Sequence, residues 1–588
     1  MSGRIAGIPA APGIAVGPVW RYRPRGAGGV PVLAVASRGE AELRIRRAAD
    51  AAAAQLQALA ERLCEMNRPG DAEILAAQAL MAIDPAIVEE AVRLARGGMD
   101  PVEAVLAAAE ASAQVLAALD DALLAARAGD VRDVAVRVVR ALSGGHLDLP
   151  AVPSVVAADD LPPSLLAETP PGLVLGLALA GGSPTAHVAI LARSLGIPSV
   201  VAVPGLLDAV RGAATIALDG ESGEILVDPG AADLRALAEL QVVRGARDRA
   251  AAALRGRPAA TIDGQRIPLL ANIRSPDDAV RALEAGAEGV GLFRTEYLFL
   301  RRQAPPSEEE QVSEYRRAME AFGPARSVVI RLADIGGDKS IPYLGLREEP
   351  NPFLGVRAIR LAQDSRELLL TQLRAIWRAA GEAGVTPHVM APMVATIADA
   401  QLLCGLRDEA RSAVAATGAA CPGRMVTGLM IEVPSAAILA PELARLVDFF
   451  SIGTNDLTQY VLAADRGNPS LGRYQDALHP AVLRTVAAVV AGADQAGIPV
   501  AVCGELAGDP AGALVLAGLG VDELSADAGS LDGIRAALAG VTCAELRTLA
   551  AKALAATDAE AVRAYANELL GAKREGRPRG GPAITVRR

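Results

Sequence analysis

Aromatic residues are scarce in this chain: Phe, Tyr and Trp together make up 3% of its 588 residues. Hydrophobic residues still reach 52%, so the cores must rest on Ala, Val, Leu and Ile. Five cysteines are scattered without C-x-x-C spacing. An odd, sparse set of that kind reads as free thiols in a reducing compartment, not as a disulfide framework. Positive charge is not in excess either. The formal net charge of −10 argues against a general nucleic-acid binder. No stretch reaches about 18 uninterrupted apolar residues, so membrane insertion is not expected. The opening MSGRIAGIPAAPGIAVGPVW has no charged segment leading into a long apolar one, and the expectation is a cytoplasmic protein. Histidines number four: His146, His187, His388 and His479.

What the chain does contain is organised in blocks. At about 150 residues per domain the length suggests three or four domains. Residues 4–22 read as short strands broken by Pro and Gly. Residues 38–144 carry helical spacing and strong helix formers. Further helices are expected there over 71–83, 85–96, 101–125 and 130–142, with breaks at Gly, Asp-Pro and Gly-Asp; the block reads as a helical bundle. From residue 151 short β-like runs appear (AVPSVVAAD, GLVLGLALA, IPSVVAV, TIALDG, GEILVDP), giving a compact α/β domain with His187 on one of its helices. Residues 231–258 read as one long connecting helix. Eight strand candidates then follow in order: 267–273, 287–293, 327–334, 387–393, 426–432, 447–453, 498–504 and 521–527. Helical patterns between them predict a (β/α)8 barrel, with a doubly wound open sheet as the alternative. The Gly-, Pro- and Arg-rich tail REGRPRGGPAITVRR is expected to be disordered.

A (β/α)8 barrel carries its chemistry at the C-terminal ends of its strands. Strand two ends in Arg294, strand three carries Arg331 and strand five ends in Glu432. Strand six leads to Asn455 and Asp456, with Arg466 shortly after, and strand seven ends in Cys503. Any one Arg–carboxylate pair among these is equally a structural salt bridge. As a set they say more. Two carboxylates, Glu432 and Asp456, suit a hard, oxygen-liking cation such as Mg2+, and the absence of a Cys or His cluster disfavours zinc. Three arginines suit a substrate bearing both a phosphate and a carboxylate. Cys503 reads either as a buried small hydrophobe or, with a thiol pKa of about 8.5, as a proton donor to an enolate carbon.

His187 opens the apolar helical stretch in GGSPTAHVAILARSLGIPS. Thr185 is placed to cap that helix, and Gly196 with Pro198 to stop it. An imidazole near a helix N-terminus lies where an anion is favoured, which fits a phosphate carried on a ring nitrogen. A structural histidine is the competing reading. His146, His388 and His479 read as structural.

GGSPTAHVAILARSLGIPSVV, GLFRTEYLFL, ADIGGDK, NPFLGVRAIR, DFFSIGTNDLTQYVLAADRGN and VCGELAGD together resemble the phosphoenolpyruvate–protein phosphotransferases, enzyme I of the bacterial sugar phosphotransferase system. The likeness extends over nearly the whole chain. It implies a multidomain α/β protein: a swivelling phosphohistidine α/β domain (1–22 and 145–230) with an inserted α-helical bundle (23–144), a linker helix (231–260) and a (β/α)8 TIM-type barrel (261–573), ahead of a disordered tail (574–588). The bundle would dock the phosphocarrier protein HPr, and the barrel would bind phosphoenolpyruvate and form a homodimer. The resemblance further implies that His187 is phosphorylated and that Arg294, Arg331, Asn455, Asp456 and Arg466 hold phosphoenolpyruvate. Glu432 and Asp456 would bind Mg2+, and Cys503 would protonate enolpyruvate. Dikinase and synthase relatives carry a large ATP-binding domain before the phosphohistidine domain; here no Gly-rich ATP-binding segment precedes residue 150. One departure surrounds the histidine. The family commonly reads Gly-Gly-x-Thr-Ser-His-Thr, whereas this chain has an added residue, Ala186 and Val188 in place of hydroxyl side chains.

Overall fold

The computed structural model describes residues 3–22, 38–65, 69–117, 122–143, 149–161, 163–183, 186–300, 302–337, 341–346, 349–466 and 468–574. The chain divides into two units, Met1–Arg244 and Gly245–Arg588. The boundary falls inside the helix Ala231–Ala252. That helix ends earlier than its sequence pattern predicts. Leu254 closes a tight turn onto the Ala251 carbonyl and Gly256 adopts a left-handed φ of +79°.

The first unit is built on a mixed eight-stranded sheet. Its strands are β1 (Gly3–Ala6), β2 (Ile8–Ala11), β3 (Ile14–Arg21), β4 (Ser154–Ala158), β5 (Val174–Leu179), β6 (Ser199–Val201), β7 (Thr215–Asp219) and β8 (Glu224–Val227). Their spatial order is β1-β8-β7-β3-β4-β5-β6-β2. β3 joins the two halves: Ile14–Pro18 pair antiparallel with β7, and Val19–Arg21 pair parallel with β4.

Between β3 and β4 lies the helical block: Arg38–Glu65, Pro69–Ala82, Pro85–Arg96, Pro101–Ala117 and Ala122–Ser143. In its first helix Ala41, Ile45, Ala48, Ala52, Leu56 and Leu59 recur every three or four residues and are all buried. That one-sided apolar stripe is what turns helix propensity into a bundle. Both Asp-Pro breaks are helix starts. Asp84 and Asp100 accept from the backbone N–H groups of Ala86 and Val102, each at 2.8 Å, and the following Pro takes the first helical position. The expected break at Gly129-Asp130 does not occur, and both residues lie inside the last helix. Asp130 is buried and accepts from Gln78 Nε2 at 3.1 Å. Val131, Val134, Ala135 and Val138 beside it are buried, and their packing overrides the cost of about 1 kcal/mol for a helical Gly.

The second unit is a closed barrel of eight parallel strands: β9 (Leu269–Ile273), β10 (Val290–Arg294), β11 (Val328–Arg331), β12 (His388–Ala391), β13 (Val426–Ile431), β14 (Phe449–Ile452), β15 (Val500–Val502) and β16 (Glu523–Ala526). β16 pairs back onto β9, so the open-sheet alternative does not apply. Leu292, Val329, Met390, Met430, Phe449 and Cys503 pack together inside the barrel, and the helices between strands cover its outside with a continuous aliphatic core. Several of these helices begin with the reciprocal cap that the sequence encodes, at Ser275, Ser307, Thr396 and Thr542. No helix among the described residues is long and apolar enough to cross a membrane. Residues 575–588 of the expected tail lie outside the described residues, as does His146, and Arg574 ends the helix Ala559–Arg574.

Candidate active site

At the C-terminal mouth of the barrel lies a cavity of about 260 Å³ lined by Arg294, Arg331, Glu432, Asn455, Asp456, Arg466 and Cys503. All seven strand-end candidates of the barrel thus face one space. Glu296, Tyr297, Asp334, Met430 and Glu505 also line it.

The arginines are held in different ways. Arg294, at the end of β10, has no ion pair or hydrogen bond from its side chain among the described residues. Arg331 is nearly enclosed. It donates to Glu296 Oε1 through Nε at 3.1 Å and Nη2 at 2.6 Å, and Asp334 lies 3.7 Å away. Burial works against its charge, but Glu296 and Asp334 outweigh that and hold it firmly cationic. Arg466 donates to Asp456 Oδ2 at 3.1 Å and stacks over the Phe353 ring, 5.2 Å from its centroid. Asn455 and Glu505 are locked reciprocally: Asn455 Nδ2 donates to Glu505 Oε1 at 3.0 Å, and the Glu505 N–H donates to Asn455 Oδ1 at 2.9 Å.

Sequence reasoning missed three members of this network. Arg357 is fully buried and donates to both carboxylate oxygens of Asp334, at 2.9 and 2.7 Å, with Nη1 3.5 Å from Asp456. Glu296 accepts from the Asp334 N–H at 2.9 Å as well as from Arg331. Both acids lie two or three residues past a strand end, and Arg357 sits in the long connection after β11, beyond the reach of a strict strand-end rule. Its only sequence signal was its place in NPFLGVRAIR.

Glu432 follows β13 and is 1% exposed. Its Oε1 accepts from the Met393 N–H at 2.7 Å, and it has no ion pair within 4 Å among the described residues. The donor residue Met393 has a left-handed φ of +60°, a costly conformation for a non-glycine that aims its N–H at the carboxylate. Gly453 leaves room on the other side, since a Cβ there would meet Glu432 Oε2 at 2.7 Å. Burial, followed by the charges of Asp456 and Asp334, pushes the Glu432 carboxyl up to about 8. Five carboxyl groups (Glu296, Asp334, Glu432, Asp456, Glu505) here face four guanidiniums (Arg294, Arg331, Arg357, Arg466). Glu432 and Asp456 could hold a cation, which would favour the ionised form of Glu432. No group of three Asp, Glu, His or Cys side chains placed to hold a metal ion is present among the described residues. Two carboxylates leave positions open for substrate oxygens and water around a hard divalent cation. Cys503 is 2% exposed, with its Sγ 3.7 Å from the Ile452 carbonyl. Burial pushes its thiol up, so it stays protonated at neutral pH, the form a proton donor needs.

His187 belongs to the first unit and is the first residue of the helix His187–Ser194. Thr185 lies outside the described residues. The N-cap position is held by Ala186 (φ −63°, ψ 148°), with no side-chain cap. Among the described residues no side chain caps the first-turn N–H groups. Gly196 ends the helix with φ of +68°, and the Ile197 N–H returns to the Ala192 carbonyl at 2.9 Å. Arg193 donates from Nε to the Ala10 carbonyl at 2.9 Å, tying the helix to β2. Val188 is buried in the core with Leu177, Leu179 and Val201, and Ala186 packs against it. Those two departures from the hydroxyl pattern are thus packing residues. His388 starts β12, and His479 caps the helix Pro480–Ala496 by accepting from the Ala481 N–H at 3.2 Å. The cysteines Cys404, Cys421, Cys503 and Cys543 are unpaired.

Comparison with known proteins gives three family matches. Residues 248–543 match a family described as PEP-utilising enzyme, PEP-binding domain; 150–223 match PEP-utilising enzyme, mobile domain; and 6–127 match PEP-utilising enzyme, N-terminal. Among curated relatives, the phosphoenolpyruvate-protein phosphotransferase of Streptomyces coelicolor is 43% identical over 534 residues, 90% of this chain and 92% of that one. The protein of the same name from Bacillus subtilis is 35% identical over 575 residues, covering 96% and 99%. A multiphosphoryl transfer protein of Rhodobacter capsulatus is 43% identical over 563 residues, 95% of this chain and 67% of that one.

Proposed function

This chain belongs to the phosphoenolpyruvate-protein phosphotransferase family, and from that premise we propose that His187 carries the phosphoryl group between the barrel pocket and a carrier protein. The chain is a phosphotransferase that takes the phosphoryl group from phosphoenolpyruvate on a histidine. The observation that carries the site assignment is the single cavity into which Arg294, Arg331, Glu432, Asn455, Asp456, Arg466 and Cys503 all point.

In this reading Arg294, Arg331 and Arg466 take the phosphate and carboxylate of the substrate, and Asn455 orients it by hydrogen bonding. The family's cofactor is a divalent metal; Mg2+ is our assignment, held by Glu432 and Asp456. When bound, Mg2+ supplies positive charge to the phosphoryl oxygens, which phosphoryl transfer needs more than covalent help. Neutral His187 attacks phosphorus through a ring nitrogen; the N–P bond forms as the bridging O–P bond breaks. The pair of electrons left on oxygen gives enolpyruvate, and the Cys503 thiol delivers its proton to the terminal carbon, yielding pyruvate. The thiolate is reprotonated from water. His187 and the cavity lie in different units, so one histidine serves two partners by moving between them. The helix Ala231–Ala252 holds the boundary at which that movement would occur.

The second partner in this proposal is the phosphocarrier protein HPr, whose histidine accepts the group while docked on the helical block 38–143. A homodimer through the barrel and a cytoplasmic setting complete the reading, the latter supported by the unpaired cysteines. The test is a burst experiment. Without carrier, phosphoenolpyruvate and Mg2+ should release one pyruvate per chain and then stop, and His187→Ala should release none. Continuous pyruvate release without carrier, or an undiminished burst in His187→Ala, would overturn the assignment.

A further inference from the structure

Arg294 and Arg331 face each other in register on β10 and β11. On the other side of β10, Phe293 faces Ile273 of β9. Arg274, the next residue, therefore falls level with Arg294, one position beyond the end of β9. Three arginines thus stand in one row across three neighbouring strands at the open end of the barrel. Their surroundings differ in order. Arg331 is nearly enclosed and bound to Glu296. Arg294 is half-buried and has no side-chain partner among the described residues, and Arg274 is exposed.

Arg274 is also held without being neutralised. Its backbone N–H donates to Asp278 Oδ2 at 2.8 Å, within the cap of the helix Pro276–Glu284. The other oxygen of that carboxylate engages Arg281. The Arg274 guanidinium lies over the Tyr297 ring, 5.6 Å from its centroid, and has no carboxylate partner among the described residues. Tyr297 lines the cavity and is 51% exposed. A guanidinium stacked on an aromatic face keeps its in-plane N–H donors free for an anion. Two unpaired guanidiniums level on adjacent strands repel each other, and an anion between or before them relieves that repulsion.

We propose that Arg274 is a substrate-recruiting residue: the outermost cation of an arginine row that captures the phosphate or carboxylate of incoming phosphoenolpyruvate and passes it inward to Arg294 and Arg331. This rests on the barrel cavity being the phosphoenolpyruvate site. Capture of a trivalent anion by one rim charge acts on encounter, so it depends on ionic strength.

The experiment compares wild type, Arg274→Gln and Arg274→Lys in steady-state pyruvate release with carrier present. Ionic strength runs from about 0.01 to about 1 M, over which the Debye length falls from about 30 to about 3 Å. At low salt Arg274→Gln should lower kcat/KM for phosphoenolpyruvate about fivefold, with the loss carried in KM. That deficit should shrink to less than about twofold at high salt. Arg274→Lys keeps the charge and should recover most of the low-salt rate. An Arg274→Gln variant equal to an active wild type at every salt concentration overturns this inference alone, as does a deficit that salt does not diminish. A wild type without phosphoenolpyruvate-dependent phosphorylation of His187 overturns the functional reading beneath it.

Discussion

Arg357→Met is the most demanding perturbation of the barrel site that leaves its backbone intact. Met fills a similar length of side chain without the charge. In the native site both Asp334 oxygens are taken by Arg357, at 2.9 and 2.7 Å, and Asp334 is itself 2% exposed. After the substitution Arg331, 3.7 Å away, still stands beside it. Removing one partner of a buried pair costs about 3–5 kcal/mol. At about 2.1 cal/mol/K of unfolding entropy per residue, a unit of roughly 340 residues should lose about 4–7 °C in Tm. Differential scanning calorimetry of the full chain reads this in the barrel transition. Asp334, having lost Arg357, also competes for Arg331, so KM for phosphoenolpyruvate should rise. Adding Asp334→Asn removes the carboxylate that Arg357 had balanced and should restore at least half of the lost Tm. A shift under about 1 °C, or a double variant that loses as much as the two single variants together, would refute the pairing on which the account of the cavity depends.

Three further outcomes follow from the same geometry. Cys503→Ala should slow pyruvate formation about 10²-fold or more, measured by lactate dehydrogenase coupling, while the barrel Tm changes little; wild-type turnover removes the proton-donor role. His388 is held below its usual pKa chiefly by burial, with the Thr386 carbonyl and Asp448 opposing and Arg424 assisting. The unfolded chain therefore binds a proton that the native chain refuses once pH falls below about 6.5, and stability drops on that side. The barrel Tm between about pH 5 and 7 should accordingly flatten in His388→Asn, and an unchanged slope contradicts the burial argument. Gly129 lies inside a helix, and among the described residues nothing from the rest of the fold comes within 4 Å of where an added Cβ would stand. Gly129→Ala should therefore stabilise the first unit by about 0.5–1 kcal/mol in urea unfolding.

The eight barrel strands were legible because each is a short apolar run between helical patterns, and closure followed from their number and regular order. The strand-end rule found seven cavity residues for the same reason: parallel strands in a barrel present their C-terminal ends to one mouth. What it could not reach were groups placed by loops. Arg357 belongs to the long connection after β11, and only three-dimensional packing brings it against Asp334 and Asp456. The Met393 N–H reaches Glu432 through a left-handed backbone that no propensity scale predicts for Met. In the helical block the Gly-Asp pair at 129–130 carried a local signal for a break, and tertiary packing of the valine face together with the Gln78–Asp130 hydrogen bond prevailed. Val188 looked like a lost hydroxyl in the sequence; in the fold it is 3% exposed and part of the core. Arg274 went unnoticed because its meaning lies in its register with Arg294, which appears only once β9 and β10 are paired.

The central claim is that one histidine receives the phosphoryl group. Incubation with isotopically labelled phosphoenolpyruvate and Mg2+, followed by mapping of acid-labile phosphate along the chain, tests it most directly. The account predicts label on the peptide containing His187, lost on brief acid treatment, absent in His187→Ala and dischargeable to HPr. Label elsewhere in the chain, or full labelling of His187→Ala, would contradict it.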